Sequence, residues 1–487
     1  MIRSQPKALF LLCFTELWER FGFYMVQTIL ILYMTKGLLY SDVKADLLYG
    51  TYGSMLYLTP VIGGYIADRF IGYKQSIVLG GIFLMIGYLV MAIPDPSALF
   101  LGLSIMAIAN GFFKPNVSTL VGELYEMDDP RRDGGFTLFY MGINIGAVLP
   151  PIFAGALVAH FNWSSGFIAA AAGMFVALFT FISGKRLLGR VGAVPAISPI
   201  AVGKKGLFYS LLFGGMVIVL GLLQILFLFP QESDLVLIGA SIVILSSILF
   251  FLFKERPEAR RKLIACLILI LISVGFWAIY NQTFTSLVFF ADRNMSKEFL
   301  GISLNAEGSL FFNPFFIILL SPFMSWFWMR LEEKKLNPST PIKFTLGIFF
   351  MALGFLILWV GTHFFTTGTE TSPWWLVGSY FLQTLGELLL SPIGLAMVTR
   401  LAPRHLTGMI MGVWFLTQSA AFAIGGGLAT LASIPKDISG EAALEVYSHA
   451  FLVYGLIALA LTLVSLSLSP YLKRLIGAPA GYVGTPK

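Results

Sequence analysis

Glu16, Glu19 and Arg20 stand at i, i+3 and i+4 of one apolar stretch, so a helix brings them to one face, which Tyr24 and Gln27 extend. Two carboxylates beside one guanidinium can do either of two things away from water. They can pin a helix to its neighbour as a static ion cluster, or they can exchange a proton. Burial and a second carboxylate favour the neutral form of a glutamate, whereas an adjacent arginine favours the charged form. A site pulled both ways can exchange its proton when the arginine finds another partner, such as an incoming carboxylate.

Two more charges, Lys114 and Glu387, lie within other apolar stretches and differ in sign. Each such charge costs roughly 2.5–3.5 kcal/mol at the centre of a membrane helix, so each needs a reason to be there. A zwitterion held between them finds a cation for its carboxylate and an anion for its amine. Alternatively, the two pair with each other and lock the structure.

The composition supplies the dry setting these five groups require. Of 487 residues, 57% are hydrophobic and only 12% charged, and the mean hydropathy is +0.84. With 49 glycines the apolar share reaches about two-thirds, against roughly 45–50% for a soluble domain. The solvent must be lipid, which excludes a disordered chain, a coiled coil and a secreted disulfide scaffold. The two cysteines, Cys13 and Cys266, both sit in apolar runs and imply no disulfide framework.

Fourteen apolar segments follow one another, at 8–35, 47–70, 75–93, 98–122, 134–161, 164–187, 207–229, 235–253, 263–291, 305–329, 341–366, 374–399, 406–433 and 446–470. Each is near the roughly 20 residues a helix needs to cross a bilayer. The first is too long and too polar for a cleavable signal peptide. The net charge of +7 comes from short basic clusters between segments. A cytoplasmic N-terminus puts 25 Lys and Arg inside and five outside (Lys36, Lys44, Arg293, Lys297, Lys436); Arg20 and Lys114 within segments complete the 32. An even number of spans returns the C-terminus to the cytoplasm.

No basic stripe interleaved with aromatics appears, so nucleic acid is not an expected partner. The four histidines (His160, His363, His405, His449) fall at segment ends. No metal-ligand cluster, phosphate-cradling glycine loop or nucleophile–base arrangement is present. Neither a metal nor a cofactor is therefore expected, and a membrane-embedded enzyme or receptor with a structural ion cluster is the weaker alternative.

Basic, irregular stretches at Lys185–Lys205 and Lys254–Lys262 divide the chain. Residues 1–190 form an N-terminal six-helix bundle, 191–257 a linker with two extra transmembrane helices, and 258–487 a C-terminal six-helix bundle. A weak repeat relates the bundles. NGFFKPN (Asn110–Asn116) precedes Arg131-Arg132 and a glycine-bearing segment; GELLLSPIG (Gly386–Gly394) precedes Arg400, Arg404 and another. Pro115 and Pro392 take equivalent places. Parallel halves related by an axis along the membrane normal are a transporter architecture, with binding near the midplane between them.

ELWERFGFY (Glu16–Tyr24) resembles the ExxERFxYY signature of the proton-dependent oligopeptide transporter (POT) family of the major facilitator superfamily. Four more stretches agree in order: GGYIADRFIGYKQSI (Gly63–Ile77), GFFKPN (Gly111–Asn116), FYMGINIGA (Phe139–Ala147) and GELLLSPIGL (Gly386–Leu395). They span both halves. The segments 207–229 and 235–253 resemble the extra pair of bacterial members. YNQTFTSLVFFADRN (Tyr280–Asn294) and GVWFLTQ (Gly412–Gln418) are similar to the bacterial di- and tripeptide permease branch.

The resemblance implies an all-α membrane protein with the major facilitator fold and 14 transmembrane helices. It implies a proton-coupled symporter importing di- and tripeptides by alternating access, a monomer in the bacterial cytoplasmic (inner) membrane. The runner-up is a relative carrying another small zwitterionic or anionic solute. By the same resemblance, Glu16, Glu19, Arg20 and Lys114 serve proton coupling, and Arg20 and Lys114 also meet the peptide. Asn144 and Asn313 hydrogen-bond its backbone and amino terminus. Glu387 anchors that terminus, with Ser391 one turn on. Tyr24, Tyr57, Trp277 and Trp414 wall the pocket. In the stretch from Gly63 to Lys74, Gly63 and Gly64 allow close helix approach, and Asp68 and Arg69 belong to an inner gate.

This chain also departs from the pattern. Phe23 replaces the first tyrosine of the signature. Gln27 and Asn281 stand where many members pair an arginine with an acid at the outer gate. Losing both together avoids an uncompensated buried ion. Coupling is then expected to fall on the first segment's cluster and on Glu387. Glu307 stands where the family has a small residue, and no role is assigned to it.

Overall fold

Hydrocarbon offers backbone groups no water, so each apolar segment must satisfy its own N–H and C=O groups as a helix. The computed structural model describes residues 5–477, apart from 127–128, 130, 196–197, 199–204, 231, 234, 240–241, 243–245, 247–251, 253–254, 367, 404–406 and 436–437. Within them run α1 (Lys7–Leu32), α2 (Asp42–Ile66), α3 (Tyr73–Met91), α4 (Pro96–Glu123), α5 (Arg132–His160), α6 (Trp163–Gly184) and α7 (Lys205–Leu228). Then come α8 (Pro257–Tyr280), α9 (Phe312–Glu333), α10 (Thr340–Phe364), α11 (Pro373–Leu401), α12 (Thr407–Ala429) and α13 (Glu441–Ile476). The strands among the described residues are β1 (Glu298–Phe299) and β2 (Ile302–Ser303), an antiparallel hairpin.

Among the described residues, eleven spans, those of α3 to α13, are long and apolar enough to cross a membrane. At 26 and 25 residues α1 and α2 are long enough too, but α1 carries the charged cluster and α2 is rich in Tyr and Gly. The expected segment 235–253 lies largely outside the described residues.

Two expected segments are broken. The segment 263–291 is α8 to Tyr280, a tight turn at Asn281–Phe284 and a short helix, Ser286–Arg293. The segment 305–329 begins with one turn, Ala306–Ser309, capped by Asn305, and breaks before α9.

α1 packs on α5 and α6, α2 and α3 on α4, and α3 also on α6. α10 packs on α11 and α13, α8 on α12 and α13, and α9 on α11. α7 lies against α4 and α2. Between the two sets, α2 meets α12, and α5 meets α9 and the turn before it. The α2–α12 crossing is a glycine contact. A Cβ on Gly50 would stand 2.9 Å from the Phe422 carbonyl oxygen and 3.0 Å from Gly426 Cα, and one on Gly426 would stand 2.9 Å from the Asp46 carbonyl oxygen. Only small residues let helix backbones approach this closely.

This crossing lies towards the face opposite the described chain ends, here called the distal face. Ionic contacts join the two sets there: Arg293 meets Asp42 through both terminal nitrogens at 2.5 and 2.7 Å, and Lys36 meets Asp292 at 2.5 Å. At the terminal face, the segment after α6 lies over the α2–α3 turn. The Lys74 amide donates to Gly192 O at 3.2 Å, and its ammonium donates to Gly189 O at 2.6 Å. Gly72 turns at φ 74°, and a Cβ there would lie 2.7 Å from Ala193 O, so the turn requires glycine.

Candidate substrate and proton site

The α1 cluster forms, and its two carboxylates are not equivalent. Glu19 takes Arg20 Nε at 2.5 Å and Nη2 at 2.7 Å. Glu16 reaches Arg20 Nε at 3.3 Å through one oxygen, while its other oxygen, Oε2, is buried without a hydrogen-bond partner. All three side chains are almost wholly inaccessible. Gly146 of α5 makes room for them, since a Cβ there would meet Leu17 O at 2.3 Å and Arg20 Cβ at 3.0 Å.

Lys114 arrives from α4, which Asn110 and Asn116 hold in register. Asn110 donates to Leu56 O at 2.9 Å, and Asn116 donates to Ser76 Oγ at 2.8 Å. The Lys114 ammonium lies 4.2 Å from the Tyr57 ring centroid and 5.9 Å from that of Phe23. The Arg20 guanidinium lies 4.6 Å from the same Phe23 ring. The position that departs from the signature therefore puts an aromatic face between two cations, an arrangement that attracts both.

The second set contributes a hydrogen-bonded acid. Glu387 on α11 accepts from Asn313 Nδ2 at 3.0 Å, and that amide also donates to Thr384 Oγ1 at 3.1 Å. The Tyr280 hydroxyl donates to Asn313 Oδ1 at 3.2 Å, and Trp277 stands edge-on to Tyr280 at 5.2 Å. Neither Lys114 nor Glu387 forms an ion pair with a described residue. The locked-pair alternative is therefore not the arrangement seen. Tyr24 of α1 and Asn313 of α9 line one small void of about 10 Å³ with Thr28, Pro151 and Thr283, room for about one water.

The remaining expected residues divide. Asn144 is buried and donates to Tyr140 O at 2.9 Å, one turn back. Tyr57 stacks on Phe422 of α12 at 5.5 Å. Trp414 packs against Phe344 and in the notch at Gly394, where a Cβ would lie 2.0 Å from the ring. Ser391 is half-buried on α11. Gln27 accepts from the Tyr49 hydroxyl at 2.8 Å, whereas Asn281 lies against Gly425, so the two do not bond to each other. Asp68 and Arg69 are exposed at the terminal face, where Asp68 lines a crevice of about 320 Å³ with Tyr73, Glu123 and Arg190. Glu307 is buried on the turn before α9, within electrostatic reach of Asp292, Lys36 and Lys297.

Sequence reasoning missed Tyr280, Thr384 and Tyr140. Each had a helical signal: Thr384 is three residues before Glu387, Tyr280 three after Trp277, and Tyr140 four before Asn144.

A model of the POT family matches residues 74–444. The chain belongs to the POT family. Among curated relatives, dipeptide and tripeptide permease B of Salmonella typhimurium is 39% identical over 98% of this chain and 97% of its own length. Dipeptide and tripeptide permease A of Proteus mirabilis is 36% identical over 97% of this chain and 96% of its own. A crystal structure of peptide transporter POT in complex with sulfate matches with TM-score 0.85 at 36% identity, covering 98% of this chain and 96% of that one. A structure of tetrameric PepTSo2 matches at TM-score 0.83 and 29% identity, covering 96% of this chain and 99% of that one. This POT chain thus has the major facilitator fold of a multi-pass membrane protein, and these relatives are permeases and transporters rather than enzymes.

Proposed function

We propose that this POT chain is a proton-coupled symporter that imports di- and tripeptides by alternating access, with the proton as coupling ion and no other cofactor. One observation carries the reading: the charges a zwitterion needs are divided between the halves and left unpaired across them. Arg20 and Lys114 come from residues 1–190, whereas Glu387 comes from 258–487. The relatives named dipeptide and tripeptide permease support peptides as the cargo.

In this reading the peptide carboxylate is drawn to Lys114 and Arg20, and its amine to Glu387, with Asn313, Asn144 and Ser391 bonding the backbone. Tyr24, Tyr57 and Trp277 wall the pocket, and Trp414 backs it from behind Gly394. As the peptide carboxylate approaches, it competes with Glu16 and Glu19 for Arg20, and a proton at the unpartnered oxygen of Glu16 is redistributed. Gln27 and Asn281 keep the outer-gate positions without charge, and Asp68 and Arg69 serve the inner gate.

The chain divides into bundles 1–190 and 258–487, joined by the linker 191–257. In this reading the terminal face is cytoplasmic, with both termini on the cytoplasmic side of the bacterial inner membrane, and the closed distal face is the outer one. The monomer is the transport unit in this reading.

Uptake into proteoliposomes under an imposed pH gradient, acidic outside, tests this directly. Labelled dipeptide should accumulate above equilibrium, collapse with a protonophore and be displaced by unlabelled di- and tripeptides. Accumulation indifferent to both treatments would mean another driving ion or another cargo.

A further inference from the structure

The distal seam holds a second buried carboxylate that the symport scheme does not use. Asp42 and Asp46 stand one turn apart on α2 and project to the same side. Across the seam they meet one guanidinium, Arg293, at the end of the short helix 286–293. Arg293 is fully committed to Asp42, at 2.5 and 2.7 Å, and donates to the Tyr447 hydroxyl of α13 at 3.0 Å. Asp42 also accepts from the Ile434 amide at 3.0 Å. Among the described residues, Asp46 receives only the Ser433 hydroxyl, at 3.0 Å on Oδ2, and its Oδ1 is buried with no partner. It is 0% exposed.

Two acids of α2 therefore face one base across the seam, beside the separate Lys36–Asp292 contact. The groups facing Asp46 are Asp42 on its own helix, Arg293, Ser433 and, on α13, Tyr447 and Tyr454. Among these, Arg293 is the only cation. Among the described residues Asp46 has no cation of its own, and such a buried carboxylate is costly as an anion and tolerable as a neutral acid. When the halves part at this face, the same side chain meets water and ionises.

We propose that Asp46 is a proton-binding site of the distal gate, taking up one proton from the outer solution as the gate closes and returning it to the same side when the gate opens. The proton passes from bulk water to Oδ1 and back, and no other bond changes. External acid thus favours closure, towards the inward-facing state, without this proton crossing the membrane. The Gln27 and Asn281 positions carry no charge, so outer-gate pH sensitivity is assigned to this seam. The inference rests on the alternating-access reading above.

The test is a distance measurement on the full-length protein. Spin labels at Leu39→Cys and Leu300→Cys, both exposed at the distal face on opposite sides of the seam, report closure in a background lacking Cys13 and Cys266. In the otherwise unaltered protein the short-distance population should grow as pH falls. Asp46→Asn, nearly the same shape and permanently neutral, should remain closed across the same range. Asp42→Asn offers a second check: with one acid left for one base, its closure should also lose the pH response. Either variant keeping the parent midpoint overturns the assignment. A distance that never changes, in any variant, with pH or with dipeptide, removes alternating access itself.

Discussion

Glu16 and Glu19 share the Arg20 guanidinium unequally: Glu19 holds it through two contacts at 2.5 and 2.7 Å, while Glu16 touches it through one oxygen and leaves Oε2 unpartnered. The two acids of one signature are thus given different work. Glu19 fixes the arginine, and Glu16 has the free oxygen that a proton can occupy.

Glu16→Gln should therefore abolish uphill accumulation driven by a pH gradient while leaving peptide counterflow, which needs no net proton movement. Glu19→Gln should impair both. Removing one partner of a buried ion pair costs about 3–5 kcal/mol of stability, and Arg20 then loses the two contacts that hold it in place for the peptide. Counterflow and gradient-driven uptake measured on both variants separate the roles, and identical profiles would make the two acids interchangeable.

Glu387→Gln should weaken zwitterionic peptides far more than N-acetylated ones. A hydrogen bond to a charged group is worth about 1.5–3 kcal/mol, so the loss for free amines should be roughly tenfold to a hundredfold in competition assays. Equal loss for both ligand types would make Glu387 a structural partner of Asn313.

Phe23→Leu removes the ring between Arg20 and Lys114. Cation–π contacts contribute about 0.5–2 kcal/mol, so peptide affinity should fall a few-fold to about thirtyfold, read as a rise in the half-saturating peptide concentration. Phe23→Tyr should keep near-parent affinity. A Leu variant as good as the Tyr variant would deny the ring any electrostatic part.

Gly50→Val should prop the distal face open. Its side chain would press into Phe422 O and Gly426 Cα, at 2.9 and 3.0 Å from the Cβ alone, and overpacking of this kind costs about 1–3 kcal/mol. Transport should fall, and a cysteine placed at Ser54, whose hydroxyl donates to Ser419 O at 2.7 Å, should become reactive to a membrane-impermeant thiol reagent. Continued protection would mean that the crossing does not seal the gate.

Most segment limits were legible because hydrocarbon allows a backbone few alternatives to helix. The breaks at Asn281–Phe284 and before Phe312 were not, since apolar composition continues through both and only tertiary packing favours the interruption. The α1 triad could be read from its spacing. Trp414 could not be placed, because an aromatic on an apolar helix has the same sequence signature whether it faces the pocket or fills the notch at Gly394. Asp42, Asp46 and Arg293 lie at segment ends, where charges are ordinarily solvated; their significance comes from the far half covering them. The spacing of Asp42 and Asp46 was visible, but the single guanidinium opposite them was not.

The most direct test of the central claim, that peptide and proton cross together through one chamber, is the current evoked by a neutral zwitterionic dipeptide in proteoliposomes on a supported membrane. Inward positive charge movement is expected on peptide addition at symmetrical pH, saturating with dipeptide and absent in Glu16→Gln. Peptide uptake without any such current, or an undiminished current in that variant, would contradict it.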